Sequence, residues 1–189
     1  MNFNRAVTRS IRTSYGTGVL KLGGGTVTPG SASLDVYMQE YSQFRNKFLV
    51  LNDFLPGSDG ETLALRISTD GQTFLAGASD YDYAMVGLTN GGVSLDDNSV
   101  GAALIRISGG IGGNVTEGAE STLYLPNTVG KIRRPRFGFS SNYIDSTDRV
   151  CFVSGSGGFL TQGQDTKSVR ILFTSGVISS GFWGLYGYA

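Results

Sequence analysis

The chain has 189 residues, 40% of them hydrophobic, with 29 glycines and 4 prolines, and its 15 basic groups balance 15 acidic ones; that length fits one domain with a core of its own. It has no histidine and a single cysteine, Cys151, which excludes an internal disulfide framework, Ser-His-Asp and Cys-His catalysis, and the usual zinc sites within one chain. No apolar run approaches the roughly 20 residues of a membrane-spanning helix and no continuous apolar segment marks a secretory signal, so the expectation is a protein without membrane insertion, folded in a reducing cytosol.

Residues 1–30 carry Arg5, Arg9, Arg12 and Lys21 and no acid, leaving 11 basic and 15 acidic groups in residues 31–189. Ala6–Arg12 can form a helical turn, but its apolar face is too sparse to stand alone. Residues 1–30 therefore read as an extended arm that docks on a partner or a neighbouring subunit, and residues 31–189 as a single domain.

From Ser31 onward the hydrophobic period is two. Leu34, Val36 and Met38 alternate with Asp35, Tyr37 and Gln39; Leu63, Leu65 and Ile67 with Ala64, Arg66 and Ser68; Ala103, Ile105 and Ile107 with Leu104, Arg106 and Ser108. Each such segment can bury one face and wet the other. Further strands are predicted at 48–53, 74–77, 83–88, 121–125, 136–140, 150–154, 169–174 and 181–188, with Asp70-Gly71 as a tight hairpin turn before the 74–77 strand. Turn clusters at 56–60, 90–92, 109–113, 155–158 and 175–176 punctuate them. Roughly ten strands joined by short turns predict an all-β fold of two packed antiparallel sheets, a sandwich or jelly roll.

Few residues invite chemistry. Asp80, Tyr81, Asp82 and Tyr83 read first as a structural turn. Their alternative is a ligand or calcium contact, because carboxylates beside aromatic faces suit a sugar. In extended backbone both carboxylates would share one face and both tyrosines the other. Asp96-Asp97-Asn98 lacks the spacing of a dedicated calcium loop and reads as a solvated turn. Lys131, Arg133, Arg134 and Arg136 form the dense basic run; with no aromatic residue interleaved, it reads as a solvated loop or subunit contact and not as a nucleic-acid site. Alternation puts Phe182, Tyr186 and Tyr188 on one face of the last strand and Trp183 and Leu185 on the other. One set is expected in the core, and the other is left for a glycan or a neighbouring subunit. Cys151, in Val150-Cys-Phe-Val153, reads as a small buried hydrophobe. No nucleotide-binding loop is present, and neither a cofactor nor catalysis is expected.

Two segments resemble small bacteriophage virion proteins. The first runs from Phe48 to Phe74, through an Asp-Gly loop and Arg66-Ile-Ser-Thr-Asp-Gly71, and on into Ala78-Ser-Asp-Tyr-Asp-Tyr83. The second is the closing hairpin from Val169, with Gly176-Val-Ile-Ser-Ser-Gly-Phe-Trp-Gly-Leu-Tyr-Gly187. Together they span about a third of the chain. The resemblance implies a jelly-roll, lectin-like sandwich and membership of a virion (tail, neck, fibre or capsid surface), made in the host cytoplasm, with other virion proteins as partners. Homo-oligomers are expected, with Arg5, Arg9, Arg12 and the 131–136 run as assembly contacts. The competing expectation is a receptor module for bacterial surface glycan that uses Asp80, Tyr81, Asp82, Tyr83, Trp183 or Tyr186.

Overall fold

A computed structural model describes residues 18–44, 46–126, 136–159 and 165–188. Arg5, Arg9, Arg12, Lys131, Arg133 and Arg134 lie outside the described residues.

Twelve strands follow one another: β1 (Leu20–Thr26), β2 (Leu34–Tyr37), β3 (Asn46–Pro56), β4 (Glu61–Ser68), β5 (Tyr81–Thr89), β6 (Asp97–Ala102), β7 (Ile105–Ile111), β8 (Gly118–Pro126), β9 (Arg136–Ile144), β10 (Val150–Phe159), β11 (Ser168–Phe173) and β12 (Ile178–Tyr188). The one helical element among the described residues is a single 3-10 turn at Gln39–Tyr41, and no helix there is long and apolar enough to cross a membrane. All the strand pairings are antiparallel. They form an eight-stranded sheet, in the order β1-β12-β3-β8-β9-β10-β5-β6, and a four-stranded sheet, β2-β11-β4-β7. The predicted all-β antiparallel sandwich is the fold observed.

The alternation read from the sequence explains the layering. Leu49 and Leu51, Leu63, Leu65 and Ile67, and Ile105 and Ile107 are fully buried between the sheets, and each such side chain contributes about 1.5–3 kcal/mol relative to exposure. Phe137 stacks on Phe159, ring centroids 6.2 Å apart, within this layer. Polar groups also tie the sheets together. Gly109 donates its N–H to the Tyr143 hydroxyl at 3.0 Å, and Ser141 donates to the Ile107 carbonyl at 2.6 Å.

Five elements differ from the sequence reading, one of them the 109–113 turn cluster, whose Gly109, Gly110 and Ile111 are the end of β7. Leu20–Thr26, inside the predicted arm, forms the edge strand β1 on β12; Gly23 and Gly25 pass over the Trp183 ring, which a Cβ at either position would contact at 3.5 and 3.7 Å. The sheet thus begins before residue 31. Asp97 is not in a solvated turn but opens β6, opposite Met85. The 155–158 cluster is no turn either: it continues β10, paired with both β5 and β9. There Gly157 leaves room for β7 to approach, since a Cβ on it would stand 2.9 Å from Ile105 Cδ1. Finally, Asp70-Gly71 makes its tight turn, with Gly71 at φ +90° and Leu75 N–H returning to the Ile67 carbonyl at 2.9 Å. The predicted 74–77 strand, however, is reduced to a single bridge between Phe74 and Ser68.

Candidate functional site

The four-stranded sheet packs on one face of the larger sheet, so the opposite face of the larger sheet looks outward. Strand register decides what it carries. Phe48 pairs with Tyr186 of β12 and with Tyr124 of β8. Tyr124 pairs with Gly138, and the row continues through Ser156 to Ala84 and Asn98. One row later Arg136, Gly158, Asp82 and Val100 stand side by side. An aromatic strip therefore gives way, across the same face, to a floor of glycine, serine and alanine.

That floor belongs to an open groove of about 590 Å³ spanning β9, β10, β5 and β6. Ala84, Ser156 and Gly158 form its base. Asp82, Asn98 and Val100 line the β5–β6 side, and Arg136 stands on the β9 side. Two strand spacings separate the Arg136 and Asp82 backbones, about 9.5 Å, with a residue that has no side chain between them. Asp82 Oδ1 accepts the Gly101 N–H at 2.9 Å, which fixes the carboxylate against the edge strand. Arg136 is exposed; the ion pairs among the described residues are Arg106–Asp97, Arg149–Asp145 and Arg170–Asp35, and Arg136 is in none of them. Tyr124 borders the floor, because a Cβ on Gly138 would touch its ring at 3.8 Å.

The residues singled out from the sequence are distributed differently. Tyr81 and Tyr83 point inward and are buried. Burial raises the Tyr81 phenol above its ordinary value, and burial followed by a hydrogen bond to Asp97 pushes Tyr83 up to about 12. Both tyrosines are parts of the core. Asp80 lies in the turn before β5, where its Oδ2 accepts the Gly77 N–H at 2.6 Å, so the shared face expected for Asp80 and Asp82 in extended backbone does not form. Trp183 faces inward beneath β1 as a half-buried neighbour of the core. Tyr186 faces outward, stacked on Phe48 with ring centroids 5.1 Å apart and planes at 11°. Five strand spacings, about 24 Å, separate it from Asp82, so the two do not meet on one small ligand. The sequence does not bring Asp82 and Arg136 to one groove: Arg136 reads there as an assembly contact, Asn98 as part of the solvated 96–98 turn, and Ser156 and Gly158 as part of a turn cluster.

The outer face holds a second feature. Val86, Leu88, Val150 and Phe152 are 64%, 59%, 56% and 46% exposed, and Phe152 sits directly opposite Leu88.

No family model matches the chain, and no curated protein matches it. Among solved structures, the chain is weakly similar to structures of infectious bursal disease virus. The Gx strain is 12% identical over 90% of this chain and 37% of that one, with a TM-score of 0.13. The Gt strain is 12% identical over the same shares, with a TM-score of 0.12. The VP2 subviral particle is 10% identical over 93% and 37%, with a TM-score of 0.12. The chain spans about 37% of the length of these proteins, and at such TM-scores the likeness carries no argument. What the fold and the face define is an all-β sandwich whose larger sheet carries an outward surface that is part apolar and part grooved.

Proposed function

We propose that the protein is a non-enzymatic structural component of a virus particle, and specifically, from its two resembling segments, of a bacteriophage particle, at the tail, neck, fibre or capsid surface. The observation that carries this reading is the exposed patch of Val86, Leu88, Val150 and Phe152. Large apolar side chains grouped on adjacent strands are what an assembly contact buries. In the proposed particle that patch packs on a neighbouring subunit, and the basic N-terminal segment adds a second contact. Replacing Phe152 and Leu88 by Asp tests the assembly role. Because both side chains are exposed, the double variant keeps its fold and its circular dichroism but fails to enter particles; normal incorporation would remove the patch from the assembly.

A second reading, recognition of glycan on the bacterial envelope, is favoured by the groove. Its mixture of a small-residue floor, an aromatic border and separated polar groups is that of a binding site for a hydroxyl-rich ligand. In both readings the protein binds and does not turn over. Asp82 and Asp80 each accept a backbone N–H, structural roles that support this reading. Host envelope polysaccharide incubated with the pure protein should release no new reducing ends; sustained release lost in Asp82→Asn would overturn this.

A further inference from the structure

We infer that the groove between Arg136 and Asp82 binds an anionic saccharide, one whose sugar ring carries a carboxylate or a phosphate; this rests on the glycan-recognition reading and names its ligand class. The two sides of the groove differ in chemistry. Arg136 offers only donors and a fixed positive charge, in a planar fork that matches a carboxylate or phosphate. Asp82 offers only acceptors, with Oδ1 accepting from Gly101 N–H, so it accepts hydrogen bonds from a ligand's hydroxyls and repels its anionic end. A ligand that satisfies both sides is therefore polar in a defined direction, anion toward β9 and hydroxyls toward β5.

The spacing sets its size. The backbones on which Arg136 and Asp82 stand are about 9.5 Å apart, two strand spacings. Gly158, directly between them in the register, has no side chain to occupy that gap. The long arginine side chain shortens the gap toward the width of one pyranose ring, and the floor of Ser156 and Ala84 extends it along the strands for the next sugar. Asn98, exposed on β6, can donate to and accept from hydroxyls at once. Tyr124, 57% exposed and beside Gly138, supplies the apolar edge against which a sugar face stacks. A simple anion would use Arg136 alone and leave Asp82 and the floor unused. A neutral sugar would leave the guanidinium without its partner.

The experiment is binding of the full chain to an array that carries uronate-bearing, phosphate-bearing and neutral oligosaccharides, followed by titration calorimetry on the best ligand and on free phosphate. The wild-type protein is expected to favour the anionic sugars by at least tenfold over neutral ones, with the uronate and phosphate arms identifying the anion. Arg136→Gln should erase that preference, and Ser156→Ile, which fills the floor, should lower binding of every sugar tenfold or more. Both positions are exposed, and unchanged melting temperatures would confirm that the variants are folded. Equal binding of neutral and anionic sugars, still lost in Ser156→Ile, would overturn the anionic class while leaving glycan recognition in place. Binding of free phosphate as tight as that of any sugar would overturn the saccharide. No binding to any sugar would overturn the inference together with the reading it rests on.

Discussion

The hydroxyl of Tyr81, on the large sheet, accepts the N–H of Ile67, on the small sheet, at 2.8 Å and donates to the Leu75 carbonyl at 2.9 Å. The β7 ladder on β4 ends at Leu65, so the buried N–H of Ile67 would have no strand partner on that side. The tyrosine supplies the partner that the ladder lacks. Tyr81→Phe keeps the ring and orphans that donor, and the expected loss is about 1–3 kcal/mol, read as a lower urea midpoint with an unchanged slope.

Asp145 closes the β9–β10 turn. Its carboxylate accepts from Thr147 N–H at 2.9 Å, Arg149 N–H at 3.1 Å and Arg149 Nε at 2.8 Å. Burial alone would raise its pKa, but the hydrogen bonds from Arg149 and Thr147 outweigh it and hold the carboxyl well below the usual range. A folded-state pKa below the unfolded one means that the contribution is present above about pH 4, the unfolded aspartate value, and is lost as pH falls toward the folded value. Asp145→Asn should therefore lower the melting temperature at pH 7 and lose its difference from wild type progressively below pH 4. A difference that stayed constant down to pH 2 would remove the linkage.

Gly157 lies under Ile105, and a Cβ there would sit 2.9 Å from its Cδ1 and 3.0 Å from its Cγ2. Gly157→Val is expected to cost about 1–3 kcal/mol by overpacking. Combining it with Ile105→Ala should cost less than the sum of the two single changes, because the second vacates the volume that the first fills. Additive losses would mean that the two positions are not in contact.

Trp183 is the only tryptophan and lies beneath β1. Deleting residues 1–30 removes that strand, so its fluorescence should shift to the red and the melting temperature should fall. Deleting residues 1–17 removes no described strand and should change neither. Equal behaviour of the two truncations would place β1 outside the folded body.

The period of two made most strands legible because the core selects alternate residues directly. What it missed depends on contacts distant in the sequence. Asp97–Ala102 has little β-propensity of its own and becomes β6 through pairing with β5 and the Arg106–Asp97 ion pair at 3.2 Å. The glycines of β10 look like a turn in the sequence and are strand because Ile105 occupies the space that a side chain at Gly157 would take, while Gly23 and Gly25 of β1 lie within ordinary contact of the Trp183 ring. Alternation correctly sent Phe182 and Tyr186 to the face opposite Leu185. The groove gave no local signal, since Asp82, Asn98, Arg136 and Ser156 meet only through the register of four strands.

A structural role in a bacteriophage particle is tested most directly by quantitative mass spectrometry of the chain in gradient-purified particles from an infected culture. The expected result is that the chain co-sediments with the particles at a constant ratio to their capsid protein, and that the ratio survives a high-salt wash. Absence of the chain from particles, while it is abundant in the cell lysate, would contradict it.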